Sequence, residues 1–271
     1  VFRKTLFIIL AALTLSALHG FGSDSAPISL RDGLVWADVN CGGTTLHFVV
    51  DTGAVSSCLN LAAARRLGLQ LGYPMEVSGV GGMALGYRCA GFQGKVGAMK
   101  LPGQVLALDL SGPARACSQP IDGLIGADFF QTNFVTIDYA RGVLTRAGPA
   151  TDGIAVRMRF ENGVISVPVA VNGSRPRWTR LDTGCTDALI WCSPGTRRIL
   201  CARHSVALAS STQSGPLAMV SVGHTAPHTL PVKWRTREIF PGEAGLLGNA
   251  TLSRYRAITI DGSGKRLILS L

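Results

Sequence analysis

Two stretches decide how this chain is read: Thr45-Leu46-His47-Phe48-Val49-Val50-Asp51-Thr52-Gly53 and Arg175-Pro176-Arg177-Trp178-Thr179-Arg180-Leu181-Asp182-Thr183-Gly184. Each reads as a buried strand closed by Asp-Thr-Gly, so each delivers one carboxylate at a strand end, where a glycine lets the backbone turn. Gly123-Leu124-Ile125-Gly126 follows the first triplet by about the interval at which Gly245-Leu246-Leu247-Gly248 follows the second. A strand ending in Asp then closes each half, Phe134-Val135-Thr136-Ile137-Asp138 and Ala257-Ile258-Thr259-Ile260-Asp261. Three landmarks in the same order, twice, describe a duplicated architecture.

Composition agrees. A chain of 271 residues with 47% hydrophobic content has material for two lobes. Charged residues make up only 15%, the 33 glycines are frequent, and short Val, Ile and Leu runs alternate with Gly, Pro, Ser and Asn, which is an all-β composition. The formal net charge of +10 is spread over small groups such as Arg65-Arg66, Arg197-Arg198 and Lys265-Arg266. No basic stripe with interleaved aromatics forms, so the charge reads as a solvated face and no nucleic-acid partner is expected.

At the N-terminus, Arg3-Lys4 precedes an apolar stretch from Leu6 to Leu18 and then small and polar residues through Ser25. The pattern is that of a secretory signal peptide over residues 1–22, too short for a comfortable membrane span, and it predicts a secreted or periplasmic protein with no stable span after cleavage. Export would place the seven cysteines (Cys41, Cys58, Cys89, Cys117, Cys185, Cys192 and Cys201) in an oxidising compartment. Disulfides are then expected, with Cys192–Cys201 the most plausible bridge and Cys185 the candidate for a buried free thiol.

In the first half, strands over Leu34–Asn40 and Thr45–Val50 flank the turn signal Cys41-Gly42-Gly43, and Leu59–Leu69 has helical spacing that stops at Gly68. Val77–Gly86 is glycine-dense and reads as a mobile hairpin tip. The second half repeats the hairpin, with Val164–Val171 and Arg175–Leu181 around Asn172-Gly173, then a less regular segment with a short helix over Thr196–Arg203. Ala147 to Gly153 lacks apolar periodicity and reads as the linker between lobes at 27–148 and 151–271.

These residues resemble the aspartic peptidase superfamily, the pepsins and retroviral-type proteases, in which each lobe gives one Asp-Thr-Gly or Asp-Ser-Gly loop backed by an aliphatic-aliphatic-Gly. Lobes of this size, and the string Gly123-Leu124-Ile125-Gly126-Ala127-Asp128-Phe129-Phe130, are similar to bacterial retropepsin-like proteins, here with two copies fused. The resemblance implies a two-lobed double β-barrel with short helices and an interlobe cleft. It implies an aspartic endopeptidase that acts on polypeptides as a monomer without cofactor or metal, with Asp51 and Asp182 as catalytic pair. Thr52 and Thr183 would bond across the lobes, Gly53 and Gly184 would turn backbone N–H groups toward the carboxylates, and a flap would fall at Val77–Cys89, with Gly81, Gly82 or Tyr87 touching substrate. Ser210–His228 would be a second flap or a loose loop.

Like charges about 3 Å apart cannot both ionise, so such a pair shares one proton. The ionised member can take a proton from water while the protonated one polarises a carbonyl, with activity expected at acidic to mildly acidic pH. Cys185 departs from the family, whose second triplet is more usually followed by Ala, Ser or Thr. That divergence keeps a competing expectation open, a catalytically silent descendant that binds peptides or a protein in the same cleft.

Other chemistry is poorly supplied. Gly79-Val80-Gly81-Gly82-Met83-Ala84 matches a dinucleotide fingerprint loosely but is followed by glycines where a helix should start. Pro227 spoils the helix that His224 and His228 would need as metal ligands. Asp128 is expected to cap a helix starting at Phe129.

Overall fold

The structure, a computed structural model, describes residues 24–80, 82–146, 152–192, 205–206 and 215–271. The N-terminal apolar segment, Gly81, most of the linker, the Thr196–Arg203 helix and Cys201 therefore lie outside the described residues. Among those described, no helix is long and apolar enough to cross a membrane.

Leu34–Cys41 and Thr44–Val50 pair antiparallel through Gly42 and Gly43, whose φ values of 58° and 84° give the left-handed two-residue turn that matches strand twist. Gly123–Ile125 runs parallel to Thr44–Val50 on the other side, and both faces of that strand are covered, Phe48 and Val50 packing into the main core and Val49 into a second apolar cluster. The chain leaves Val50, passes through Asp51-Thr52-Gly53 and returns as Cys58–Asn60, antiparallel to Gly123–Ile125. The second half builds the same device: Arg177–Asp182 is parallel to Gly245–Gly248, and Leu189–Cys192 returns antiparallel. The Gly-Leu-aliphatic-Gly strands are thus the central strand of each device. Their last glycine is required by contact, since a Cβ at Gly126 would lie 2.6 Å from Ser57 N and one at Gly248 2.8 Å from Cys185 O.

The two closing strands pair with each other. Phe134–Asp138 runs antiparallel to Ala257–Asp261 with Thr136 opposite Thr259, their hydroxyls 2.8 Å apart. Val143–Thr145 and Ser25–Arg31 extend this ladder on one side, Arg266–Ser270 and Ile154–Arg157 on the other, giving six antiparallel strands that join the lobes. Ser25–Arg31 also pairs with Leu34–Cys41, so the joining strands and the first lobe form one sheet of 16 strands. The second lobe closes on itself. Val169-Ala170-Val171 pairs with Leu217–Val222, completing a six-stranded barrel. The expected architecture is met with one closed barrel and one large sheet in place of two closed barrels.

Several local expectations shift. The helix is Leu61–Arg66, one turn shorter than its apolar pattern, because Asn60 accepts from Ala62 N at 3.1 Å and fixes the start. The strand after Asn172-Gly173 begins at Arg177, because Ala170 and Val171 turn away from it to close the barrel. Leu217–Val222 and His228–Arg235 are barrel strands, so the described part of Ser210–His228 is neither a flap nor a loose loop. No disulfide forms among the described cysteines; all six, Cys192 included, are free thiols, and the expected bridge finds no support.

The main core runs through both lobes, from Leu46, Phe48 and Phe130 to Val167, Leu189 and Val220. Phe48, fully buried and stacked on Phe92 with ring centroids 6.2 Å apart, lies on the strand that delivers Asp51. Phe48→Ala should cost about 3–5 kcal/mol of unfolding free energy, read as a lower midpoint in urea denaturation.

Candidate functional site

Each loop is pinned where it leaves its strand. Asp51 N donates to Ile125 O at 2.9 Å, and Ala127 N donates to Ala54 O at 2.7 Å; in the second lobe Asn249 N donates to Cys185 O at 2.7 Å. The loops then meet. Thr52 N donates to Thr183 Oγ1 at 3.0 Å and Thr183 N donates to Thr52 Oγ1 at 3.1 Å. Each hydroxyl in turn donates to a carbonyl of the opposite lobe, Thr52 Oγ1 to Leu181 O at 2.9 Å and Thr183 Oγ1 to Val50 O at 2.6 Å. Both threonines are buried. Residues 131 positions apart in sequence are therefore held in reciprocal register.

That register brings Asp51 and Asp182 together. A Cβ added at Gly184 would lie 2.5 Å from Asp51 Cγ, and one at Gly53 would lie 2.5 Å from Asp182 Oδ1, so only glycine fits between each loop and the opposing carboxyl. Gly53 N and Ala54 N both donate to Asp51 Oδ1 at 3.0 Å, and Gly184 N donates to Asp182 Oδ1 at 3.0 Å. The Oδ2 atoms of both aspartates are buried without a hydrogen-bonding group of the protein, apart from the other carboxyl.

Burial is the largest influence on both acids. It pushes Asp51 up to about 7 against the pull of the Ala54 N–H, the Asp182 carboxyl, the Gly53 N–H and the Arg180 charge. Asp182 is pushed well above the usual carboxylate range by burial and then by the charge of Asp51. The pair titrates as a unit, and its geometry favours the proton on Asp182, since Asp51 has two backbone donors for its anion.

Cys185 sits beside this pair fully buried. Burial, with the charges of Asp182, Asp187 and Asp51, pushes its thiol well up, so it stays a neutral thiol.

The flap region is the hairpin Leu71–Gly79 and Gly82–Ala90, closed by the pair Gly79–Gly82. Val80 at its tip packs against the second-lobe cluster of Cys185, Ile190, Phe240 and Leu246. The hairpin thus reaches across the lobes next to the dyad loop. Gly82, with φ 123°, is at the turn. Tyr87 instead pairs with Ala107 and packs on the main core, so it is not brought to the dyad.

Two groups escaped the sequence reading. Asp128 does not cap its helix, which spans Ala127–Phe130 with Gly126 at the cap position. Its carboxylate does accept from the expected Phe129 N at 2.9 Å, and it also accepts from Ser57 N at 2.9 Å and Ser57 Oγ at 2.7 Å, while Ser57 Oγ accepts from Gly126 N at 3.0 Å. It braces the end of the first loop. Arg180, two residues before Asp182, is buried and reaches Gly53 O of the other lobe at 2.8 Å. Comparison of the repeats would have flagged it, because the first lobe has Val49 at that place.

Fold and site together define a two-lobed protein of the acid-protease type. Residues 37–129 match the family model described as aspartyl protease. The match lies within the first lobe, from the first strand of the Asp51 hairpin to the short helix behind the Asp51 loop. Its fold is similar to the crystal structure of basic 7S globulin from soybean, with a TM-score of 0.54 at 12% identity over 91% of this chain and 94% of that one. A search of curated proteins returned no match.

Raised carboxyls have a consequence for stability. Between the ordinary value of 3.8 and about 7 the folded protein holds protons that the unfolded chain has released, so the dyad subtracts stability as pH rises. Asp182→Asn should therefore lose less stability than the wild type between pH 4 and pH 7, read as a smaller drop in the urea midpoint in paired denaturations at the two pH values.

Proposed function

We propose that the protein is an aspartic endopeptidase in which Asp51 and Asp182 are the catalytic residues. The observation that carries this reading is the reciprocal Thr52–Thr183 bonding, which holds two buried carboxyls in contact with their Oδ2 atoms free of other protein partners. Such a pair keeps one proton at a pH where isolated carboxylates keep none.

The ionised Asp51 takes a proton from water, whose oxygen attacks the scissile carbonyl carbon. The protonated Asp182 gives its proton to the carbonyl oxygen, forming a neutral tetrahedral diol with no covalent bond to the protein. Asp51 then gives the proton it took from water to the leaving nitrogen, a hydroxyl of the diol returns a proton to Asp182, and the C–N bond breaks, which restores the dyad to its starting state. Thr52 and Thr183 hold the loops in register, and the N–H groups of Gly53 and Gly184 stabilise the charged form of each acid. The hairpin tip, at Val80 and Gly82, covers a bound polypeptide, whereas Tyr87 packs on the main core. The basic and apolar N-terminal pattern supports export of the protein.

A second reading, a peptide-binding descendant without turnover, has one observation in its favour: both carboxyls are wholly buried, close to Val80 and its cluster. Cleavage of an unfolded protein substrate by the purified chain separates the two. We expect turnover that rises as the first proton leaves and peaks in the mildly acidic to neutral range, because burial lifts that ionisation above the usual carboxylate range. Asp51→Asn and Asp182→Asn should each lower kcat by about 10²–10⁴-fold, and a statine-type transition-state mimic should block the wild type. Turnover indifferent to both substitutions would refute the assignment.

A further inference from the structure

At one pair of positions beside the dyad the second lobe carries charges where the first is apolar. Counting back from the aspartates, Arg180 stands where the first lobe has Val49; counting back from the Gly-Leu-aliphatic-Gly strands, Glu243 stands where it has Ile121. Val49 and Ile121 belong to one apolar cluster behind the first loop. In the second lobe the same places hold an ion pair: Arg180 Nε donates to Glu243 Oε2 at 2.7 Å, and Nη2 donates to Glu243 Oε1. The guanidinium lies 3.7 Å from the centre of the Phe240 ring and is almost wholly buried.

Burying an ion pair is a poor way to gain stability, because desolvation offsets most of the attraction and apolar replacements of similar volume are often as good. The first lobe fills the same two places with apolar side chains, so this architecture does not need the charge to fold. Its third contact indicates a use. Arg180 Nη1 donates to Gly53 O at 2.8 Å, and Gly53 C=O belongs to the same peptide unit as Ala54 N–H, which donates to Asp51 Oδ1 at 3.0 Å. A cation on the oxygen of that peptide polarises it and strengthens the bond its N–H makes to the carboxylate.

We propose that Arg180 is a positioning residue for the dyad, which acts through the Gly53–Ala54 peptide to make Asp51 the ionised member of the pair. The inference rests on the reading of the dyad as catalytic. Arg180 crosses from one lobe to the catalytic loop of the other, so it also fixes the height of the Ala54 N–H against Asp51. Its alternation with Asp182 along the strand, with Leu181 between, places both on the same face. The other titratable groups around the dyad do not take this part. Cys58 and Cys185 are buried neutral thiols. Asp187 is paired with Lys233 at 3.6 Å, Asp128 is tied to Ser57, and Glu243 is bound to the Arg180 guanidinium. The charge of Arg180 favours the anion of both aspartates, while the peptide relay reaches Asp51.

The test compares pH profiles of kcat/KM for wild type, Arg180→Met, Arg180→Lys and Glu243→Gln, with a carboxyl-carbon NMR titration of aspartate-labelled protein. Arg180→Met should move the acid limb and the Asp51 midpoint upward by at least one pH unit, and Arg180→Lys should recover part of that shift. Glu243→Gln should move both downward, because it removes the negative charge that offsets the guanidinium. Opposite movements of this kind do not arise from loosened packing. Profiles and midpoints that coincide with wild type in folded Arg180→Met, or in Glu243→Gln where Arg180→Met does not fold, overturn the proposal. Midpoints that move in a protein showing no turnover would uphold the role of Arg180 and refute the peptidase reading, so the two fail separately.

Discussion

The reciprocal bonding of Thr52 and Thr183 is the constraint on which the rest of the molecule depends. Four hydrogen bonds, each worth about 1 kcal/mol net, do not by themselves offset the desolvation of two carboxyls. Their importance is geometric. They close a loop–loop contact around glycines that leave no room for a Cβ, so a small displacement of either loop would cost both bonding and packing. The joining ladder of Phe134–Asp138 and Ala257–Asp261 holds the lobes at the separation this contact requires. Strands buried on both faces then carry that rigidity up to Asp51 and Asp182.

Duplication explains why so much of this is symmetric, and divergence explains where it is not. The parallel strand behind each loop, the backbone bond from its helix to the loop and the threonine grip appear in both lobes with matched partners. The lobes part where symmetry is not needed for the contact. One closes as a barrel, while the other remains continuous with the joining sheet. The exchange of Val49 and Ile121 for Arg180 and Glu243 lies closer to the chemistry. A symmetric pair of acids has no preferred proton position, and a proton that must sit on one side needs an asymmetric environment.

Local chemistry was legible in the sequence and long-range chemistry was not. The triplets, the Gly-Leu-aliphatic-Gly strands and the closing strands could be read because each is a short pattern with a backbone reason, and the turns at Gly42-Gly43 and Asn172-Gly173 because few residues accept a left-handed φ. Arg180 and Glu243 are 63 residues apart and follow no pattern, so only alignment of the repeats points to them. Asp128 was read only in part: it accepts from Phe129 N at the helix start, but its other partner, Ser57, is 71 residues away. Whether a lobe closes as a barrel depends on Val171 meeting Val220, a pairing that alternation along either strand does not encode. The cysteines misled for a different reason, since their number and expected compartment say nothing of distance, and the described thiols remain separate.

Access to a buried dyad has to come from motion, and the contacts show which part moves most cheaply. The joining ladder and the threonine grip each involve several buried groups acting together, so opening the lobes would break many contacts at once. The hairpin tip is held differently. Val80 is only partly buried against the Phe240 cluster, and freeing it costs less than the 1.5–3 kcal/mol of a fully buried side chain of its size. The turn beyond it carries glycine at Gly82 in a conformation other residues resist. A polypeptide entering under this hairpin would replace the Val80 contact with contacts of its own while leaving the dyad geometry intact, because the threonine grip and the joining ladder do not depend on that contact.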